Sequence, residues 1–411
     1  MLERYAREEL GGGLVVTTEQ VPTARSVSIG VWVRAGSVTE PPQRMGVSHL
    51  IEHMVFKGTP TRSARDIALA LERVGGSLDA YTTREHTSFQ ARVLSEDAAL
   101  ALDVLGDIVL NPLFREPDLE LEREVVLEEI ATVEDTPDDL VFDLHAARLW
   151  GEHPYGYSIL GTRDTVATLD AAALAEAHAA RYRRPNLVVA AVGAVEHHAF
   201  TERVRRLFEA SPNGARPPAP PPVGALAPGH EYVARDSAQS HLVLGTHTFG
   251  HGDPRRYALV LLSNAFGGGM SSRLFQKVRE ELGLAYAVFS FQSFYAGAGL
   301  TGVYVGTRPD WTRRARDTIL HEFARLAAEG LSAEELADIK GQVKGQIVLA
   351  LESSGSRLHR LAGTELYGEP FRTAEEVMAC VDAVTRADVA ELAAEYFAPE
   401  RQVGLCLGPE E

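Results

Sequence analysis

Apolar and polar residues alternate from Val27 to Val33 and again from Ser88 to Leu94, the two-residue period of a half-buried strand. Over Ala64–Val74 and Pro117–Val133 the apolar positions instead recur every three to four residues, which predicts helices. The run Leu187–Val192 is continuously apolar but only strand-sized, so it predicts a buried strand rather than a membrane span. Both periods stop at Ser211–Gly229, where proline, glycine and alanine dominate and Arg216 is the only charge. Such a segment is an extended, semi-rigid spacer that continues neither a helix nor a central strand.

The stretches on either side of the spacer resemble each other. Ala180-Arg181-Tyr182-Arg183-Arg184-Pro185 leads into Leu187–Gly193, and Ala394-Glu395-Tyr396-Phe397-Ala398-Pro399 leads into Val403–Gly408. Each reads as an alanine-rich helix, a proline-marked stop and a final buried strand. A duplicated α+β unit is the economical explanation, with domains at 1–210 and 230–411 joined by the 211–229 linker. Aligning Phe56 with Phe266 sets Leu259, Leu262 and Ser263 opposite His49, Glu52 and His53. Strands and long helices in this mixture do not wind as βαβ units, which disfavours a doubly wound nucleotide fold.

A length of 411 residues exceeds one ordinary core, and 45% hydrophobic with 24% charged residues suits a soluble globular protein. The N-terminal ten residues mix charges without an apolar core, so no secretory signal or membrane segment is expected. Cys380 and Cys406 are the only cysteines, too few for a disulfide scaffold; buried thiols and a cytoplasmic location are expected. The net charge of -17 repels nucleic acid phosphate. A solvated exterior accounts for that charge; placed in an interior, it would favour basic peptides.

The sharpest chemical signal is His49-Leu50-Ile51-Glu52-His53. Histidines four apart on a helix stand one turn above each other, so both imidazoles can reach one metal ion. Glu52 lies beside that face, placed to take a proton from water rather than to complete the ligand set. The bland alternative is two satisfied histidines on an ordinary helix. The order H-x-x-E-H is the inverzincin signature. A catalytic zinc takes three protein ligands and leaves one position open. Glu122 and Glu129, seven apart on an acidic helix, share one face, while Glu128 falls on another. One of the pair can bind metal and the other can support a ligand, although such a helix is also an ordinary charged surface.

These residues resemble the pitrilysin/insulinase family of zinc peptidases, in the branch of the mitochondrial processing peptidase. That family pairs H-x-x-E-H with a glutamate 76 residues after the second histidine, where Glu129 stands here, followed by Ile130. The resemblance implies one Zn²⁺ per chain held by His49, His53 and Glu129, with Glu52 as general base and Glu122 as a supporting acid. It implies two homologous α/β-sandwich-like domains, each a mostly antiparallel sheet flanked by helices. Gly75–Thr87 looks like the family's substrate-binding edge strand, with Leu78, Asp79, Ala80 and Tyr81 against an extended peptide. Many relatives carry asparagine where this chain has Asp79. Phe266–Phe275 reads as a glycine-rich loop before a helix, and lacks the Gly-Lys-Ser/Thr of a phosphate cradle. Arg279 and Tyr286, seven apart, match the pair that binds substrate and steadies the scissile carbonyl. On the residues alone, Arg279 would be a surface cation and Tyr286 half-buried.

Relatives working as single chains carry four such domains. Two domains therefore imply a homodimer enclosing unfolded peptides in a chamber, with Arg279 and Tyr286 reaching the partner's zinc site. Two other readings compete: a non-catalytic scaffold like the respiratory-complex core subunits of this fold, and a processing subunit that needs a different partner chain.

Overall fold

The computed structural model describes residues 4–409. The chain forms two compact units: residues up to Ile130 with Tyr157–Pro220 and Leu349–Phe371, and Ala131–Gly156 with Pro221–Val348 and the residues from Arg372. Relative to a division at the linker, each unit includes one helical segment from the other half of the sequence. The physical reason lies in the sheets.

The first unit holds β1 (Arg4–Leu10), β2 (Leu14–Gln20), β3 (Ser26–Val33), β4 (Ser77–Thr82), β5 (Thr87–Leu94) and β6 (Leu187–Gly193). They order as β1-β2-β6-β3-β5-β4, parallel only between β2 and β6. The second unit holds β7 (Gly229–Ala234), β8 (Ser240–Thr248), β9 (Ala285–Phe294), β10 (Gly299–Thr307) and β11 (Val403–Gly408). These order as β7-β11-β8-β10-β9, again with one parallel pair, β7 and β11. Strand for strand, β2-β6-β3-β5-β4 repeats as β7-β11-β8-β10-β9. That shared topology is what a duplicated unit requires, and β1 is an addition to the first copy.

Both sheets are apolar on both faces. In the first, Val27, Ile29, Val31 and Val33 of β3 join the main core, while Trp32 and the β6 residues Val188, Ala190 and Val192 pack under Leu358, Leu361 and Ala362. Those three belong to the helix Ser354–Tyr367. In the second, Val141 of the helix Pro137–Trp150 covers Val243, Tyr304, Leu405 and Leu407. Each unit's remaining helices cover the opposite face alone, so the exchanged helix removes a second apolar face from water. For this reason β3 is buried on both sides, not half-buried as its alternation predicts. Gly30 accommodates the covering layer, since a Cβ there would stand 2.4 Å from the Trp32 ring.

The helices Ala64–Glu72 and Glu116–Glu134 lie where the 3.6-residue period predicts them. Among the described residues no helix is long and apolar enough to cross a membrane. Cys406 is buried as expected, whereas Cys380 is only partly so.

Candidate metal centre

The motif helix runs Val47–Met54, with Val47, Leu50, Ile51 and Met54 in the core. Its start is built for a sharp entry: Gly46 takes φ 89, a left-handed value open to glycine. The buried carboxylate of Glu40 then accepts the backbone N–H groups of Gly46 and Ser48 at 2.8 Å each. Those bonds satisfy two donors that the helix itself leaves unpaired. Burial raises the Glu40 pKa, and the two N–H bonds oppose the rise.

With one face locked into the core, the helix turns His49 and His53 toward the helix Glu116–Glu134. Nε2 of His49 lies 3.6 Å from Oε2 of Glu129, and Nε2 of His53 lies 3.7 Å from Oε1. The three candidate ligand atoms all fall within 4.8 Å of one another. A tetrahedral zinc with bonds of about 2.1 Å holds its ligand atoms roughly 3.4 Å apart, so this donor set fits such an ion. Burial, reinforced by neighbouring His53, lowers the His49 pKa to about 3, which keeps the imidazole neutral as a ligand must be. Glu128 points elsewhere and is exposed.

Glu122 sits behind the ligands rather than among them. Its Oε2 lies 3.0 Å from Nδ1 of His53, and its Oε1 forms an ion pair with Lys57. With the Nδ1 proton directed at Glu122, the Nε2 lone pair of His53 faces Glu129. Nδ1 of His49 is buried and has no hydrogen-bond partner among the described residues. Glu52 is partly buried. Burial raises its pKa, Glu129 adds to the rise, and Thr82 and His53 oppose it. A carboxylate made more basic in this way is suited to accept a proton.

β4 forms one edge of its sheet, and no strand pairs with its outer side among the described residues. Leu78 and Ala80 pack toward the core. Asp79 is exposed, and the Tyr81 hydroxyl accepts from Trp32 Nε1 at 3.4 Å. Thr82, the last residue of β4, donates to Glu52 at 2.6 Å. Lys57, Glu40 and Thr82 were not anticipated from the sequence. Lys57 and Thr82 look like ordinary loop and strand residues until carboxylates far along the chain are brought against them, and Glu40 until the chain turns back to set the helix start on it.

Arg279 and Tyr286 lie in the second unit and are brought together there. The Arg279 guanidinium stands 4.5 Å from the Tyr286 ring centre and 4.7 Å from that of Phe275, a cation between two rings. Phe275–Glu281 is a π-helical segment, and Tyr286 is the second residue of the edge strand β9. Tyr286 is 78% exposed rather than half-buried, because an edge strand leaves its outward side chains uncovered. At the positions aligned with His49, Glu52 and His53, Leu259, Leu262 and Ser263 are buried in the helix Arg256–Gly267. Gly267 lets that helix press against β9, since a Cβ would lie 2.5 Å from the Ser290 nitrogen.

Comparison with known proteins bears on the family of the chain. Residues 15–163 match the family described as insulinase (peptidase family M16), and 168–343 match the peptidase M16 inactive domain. A protein of Streptomyces coelicolor named an uncharacterized zinc protease is 40% identical over 94% of this chain and 86% of its own length. One of the same description from Mycobacterium tuberculosis is 40% identical over 98% of this chain and 93% of its own. Another, from Bacillus subtilis, is 38% identical over 98% of both. A protease structure from Helicobacter pylori superposes with a TM-score of 0.93 at 21% identity, covering both chains fully. An M16 inactive-domain structure from Pseudomonas fluorescens gives 0.93 at 22%, covering 99% of this chain and 98% of that one. At those identities the two structures bear on fold alone, but the matched domains and the sequence relatives together place this chain in the insulinase family of peptidases, M16.

Proposed function

We propose that the protein is a zinc-dependent endopeptidase that hydrolyses unfolded peptides, with one Zn²⁺ per chain on His49, His53 and Glu129. The observation that carries this reading is the spacing of those three ligand atoms beside Glu52. Zinc at such a site supplies Lewis acidity toward a carbonyl oxygen and brings the pKa of water to about 7. Glu52 takes the proton of the attacking water as its oxygen bonds to the carbonyl carbon. It returns a proton to the amine as the C–N bond breaks. Glu122 holds the His53 ring, and β4 receives the peptide as an added strand through main-chain hydrogen bonds along Leu78–Tyr81. Tyr286 and Arg279 serve the scissile carbonyl of the bound peptide.

Glu52→Gln tests the chemistry. The variant is expected to keep its zinc by elemental analysis and lose peptide cleavage. Cleavage by the zinc-loaded variant would refute the assignment. The finer reading is a cytoplasmic homodimer of the processing-peptidase branch, with Arg279 and Tyr286 completing the partner's site. Mixing Glu52→Gln with Tyr286→Phe chains is then expected to restore part of the activity. No recovery after demonstrated subunit exchange would exclude sites built in trans. Activity that appears only with a different second chain would favour the partner-dependent alternative.

A further inference from the structure

Thr82 belongs to two structures at once. It is the last residue of β4, whose outer edge is open to an added strand. Its hydroxyl also donates to Oε2 of Glu52 at 2.6 Å. Among the described residues the only other polar partner of that hydroxyl, Oγ1 of Thr87, is 3.4 Å away, and Thr87 itself donates to the carbonyl of Ala35 at 2.9 Å. The Thr82 proton is therefore committed to Glu52, since the carboxylate is the nearer and stronger acceptor. On its inner side the strand is fixed: Thr82 is paired with Thr87 in β5, and Thr83 closes the hairpin on His86 at 2.8 Å. The backbone of β4 is thus held on one side and unpaired on the other. A peptide added along the open side would complete the ladder and restrict the residue that orients the proton acceptor.

We propose that Thr82 is a positioning residue that couples occupation of the β4 edge to the orientation of Glu52. The inference rests on the reading of β4 as the peptide-binding edge and of Glu52 as general base. It adds that binding energy from peptide residues remote from the cleaved bond is converted into turnover through one hydroxyl. Interactions of this kind raise kcat, whereas plain adhesion to the edge would only lower KM. Alternation along the strand agrees with the arrangement: Leu78, Ala80 and Thr82 face the motif helix, and Asp79 and Tyr81 face the other way.

The experiment compares wild type, Thr82→Val and Thr82→Ser on two nested peptides around one cleavage site. One peptide is long enough to lie along all of β4; the other is cut short on that side. Zinc content and the affinity of each metal-free protein for the long peptide are measured alongside. In wild type, lengthening the peptide is expected to raise kcat about tenfold. In Thr82→Val that gain should vanish, leaving length to act on KM alone, while metal-free peptide affinity and zinc content match wild type. Thr82→Ser should recover most of the gain in kcat. An equal gain in kcat with length in Thr82→Val overturns the proposal, as does a serine variant no better than valine. If the wild-type protein loaded with zinc cleaves neither peptide, the peptidase reading fails and this proposal with it. Cleavage with an unaltered length dependence removes the coupling and leaves that reading intact.

Discussion

Nδ1 of His53 lies 3.0 Å from Oε2 of Glu122, and the other oxygen of that carboxylate is paired with Lys57. The order Lys57–Glu122–His53 ties the lysine to the proposed zinc site through Glu122. A nearly buried carboxylate carries a charge only where a partner compensates it, and Lys57 is that partner. An ionised Glu122 in turn fixes the His53 ring and the tautomer that leaves Nε2 open.

Lys57→Met is therefore expected to weaken zinc binding about tenfold to a hundredfold, the usual effect of losing such support. Lys57→Arg should recover part of it. Competition with a chromogenic chelator measures this on protein that need not be active. Unchanged zinc affinity in Lys57→Met would show that Glu122 holds its charge without help.

Asp79 makes a second prediction, about substrate charge. It is exposed on β4, and its side chain takes part in no hydrogen bond or ion pair among the described residues. Its cross-strand neighbour Gln90 instead directs its amide nitrogen to Ser88 and His359. Opposite charges facing each other across paired strands contribute roughly 0.2–1 kcal/mol. A peptide residue paired with Asp79 is thus expected to favour lysine over glutamate by up to about fivefold in kcat/KM. In Asp79→Lys the ratio should invert. Because the ratio is taken within each enzyme, a general change in activity cancels. A ratio that stays the same in both proteins would remove Asp79 from specificity.

How much of this could be read from the sequence depended on how local the cause was. His49, Glu52 and His53 share one helical turn, and Glu122 and Glu129 share another helix, so spacing alone put each set on a face. The helix Ala64–Glu72 and the proline-terminated helices before β6 and β11 were legible for the same reason. The burial of β3 was not. Ser28, Gly30 and Trp32 look like a solvent face, and the helix that covers them lies more than three hundred residues further along the chain. Lys57 and Thr82 escaped notice similarly, because their roles exist only once distant carboxylates are brought to them, and Glu40 because its role needs the turn that sets Gly46 and Ser48 against it.

The covering helix also creates an electrostatic dependence in the first unit. Glu19 of β2 is fully buried and is paired with Arg357, with Arg360 3.9 Å from its other oxygen. Removing one partner of a buried pair costs about 3–5 kcal/mol, because a charge is left desolvated and uncompensated. Arg357→Met is expected to destabilise by an amount in that range, reduced by whatever compensation Arg360 supplies. Glu19→Leu together with Arg357→Met should recover much of the loss, as a well-packed apolar pair can. Denaturant unfolding of the single and double variants tests this, and additive losses would contradict it.

Stability should also fall in mild acid through His145. This residue is 2% exposed on the helix Pro137–Trp150, with Nε2 3.0 Å from the carbonyl of Val403. Its pKa is lowered to about 4, chiefly by burial; the Val403 carbonyl contact opposes the fall and Arg148 adds to it. The unfolded chain takes up this proton near pH 6.5, while the folded protein resists it down to about 4. Between those values the unfolded state binds more protons, so stability drops as pH falls and is flat above about 6.5. At about 1.4 kcal/mol per pH unit, moving from pH 6.5 to 5 costs roughly 2 kcal/mol from this group alone. His145→Gln keeps a donor for the Val403 carbonyl but cannot titrate. Urea unfolding at pH 7.5, 6.5 and 5 is expected to show a shallower acid loss in the variant by about that amount. Parallel curves for the two proteins would mean that His145 is protonated as readily in the folded state as in the unfolded one.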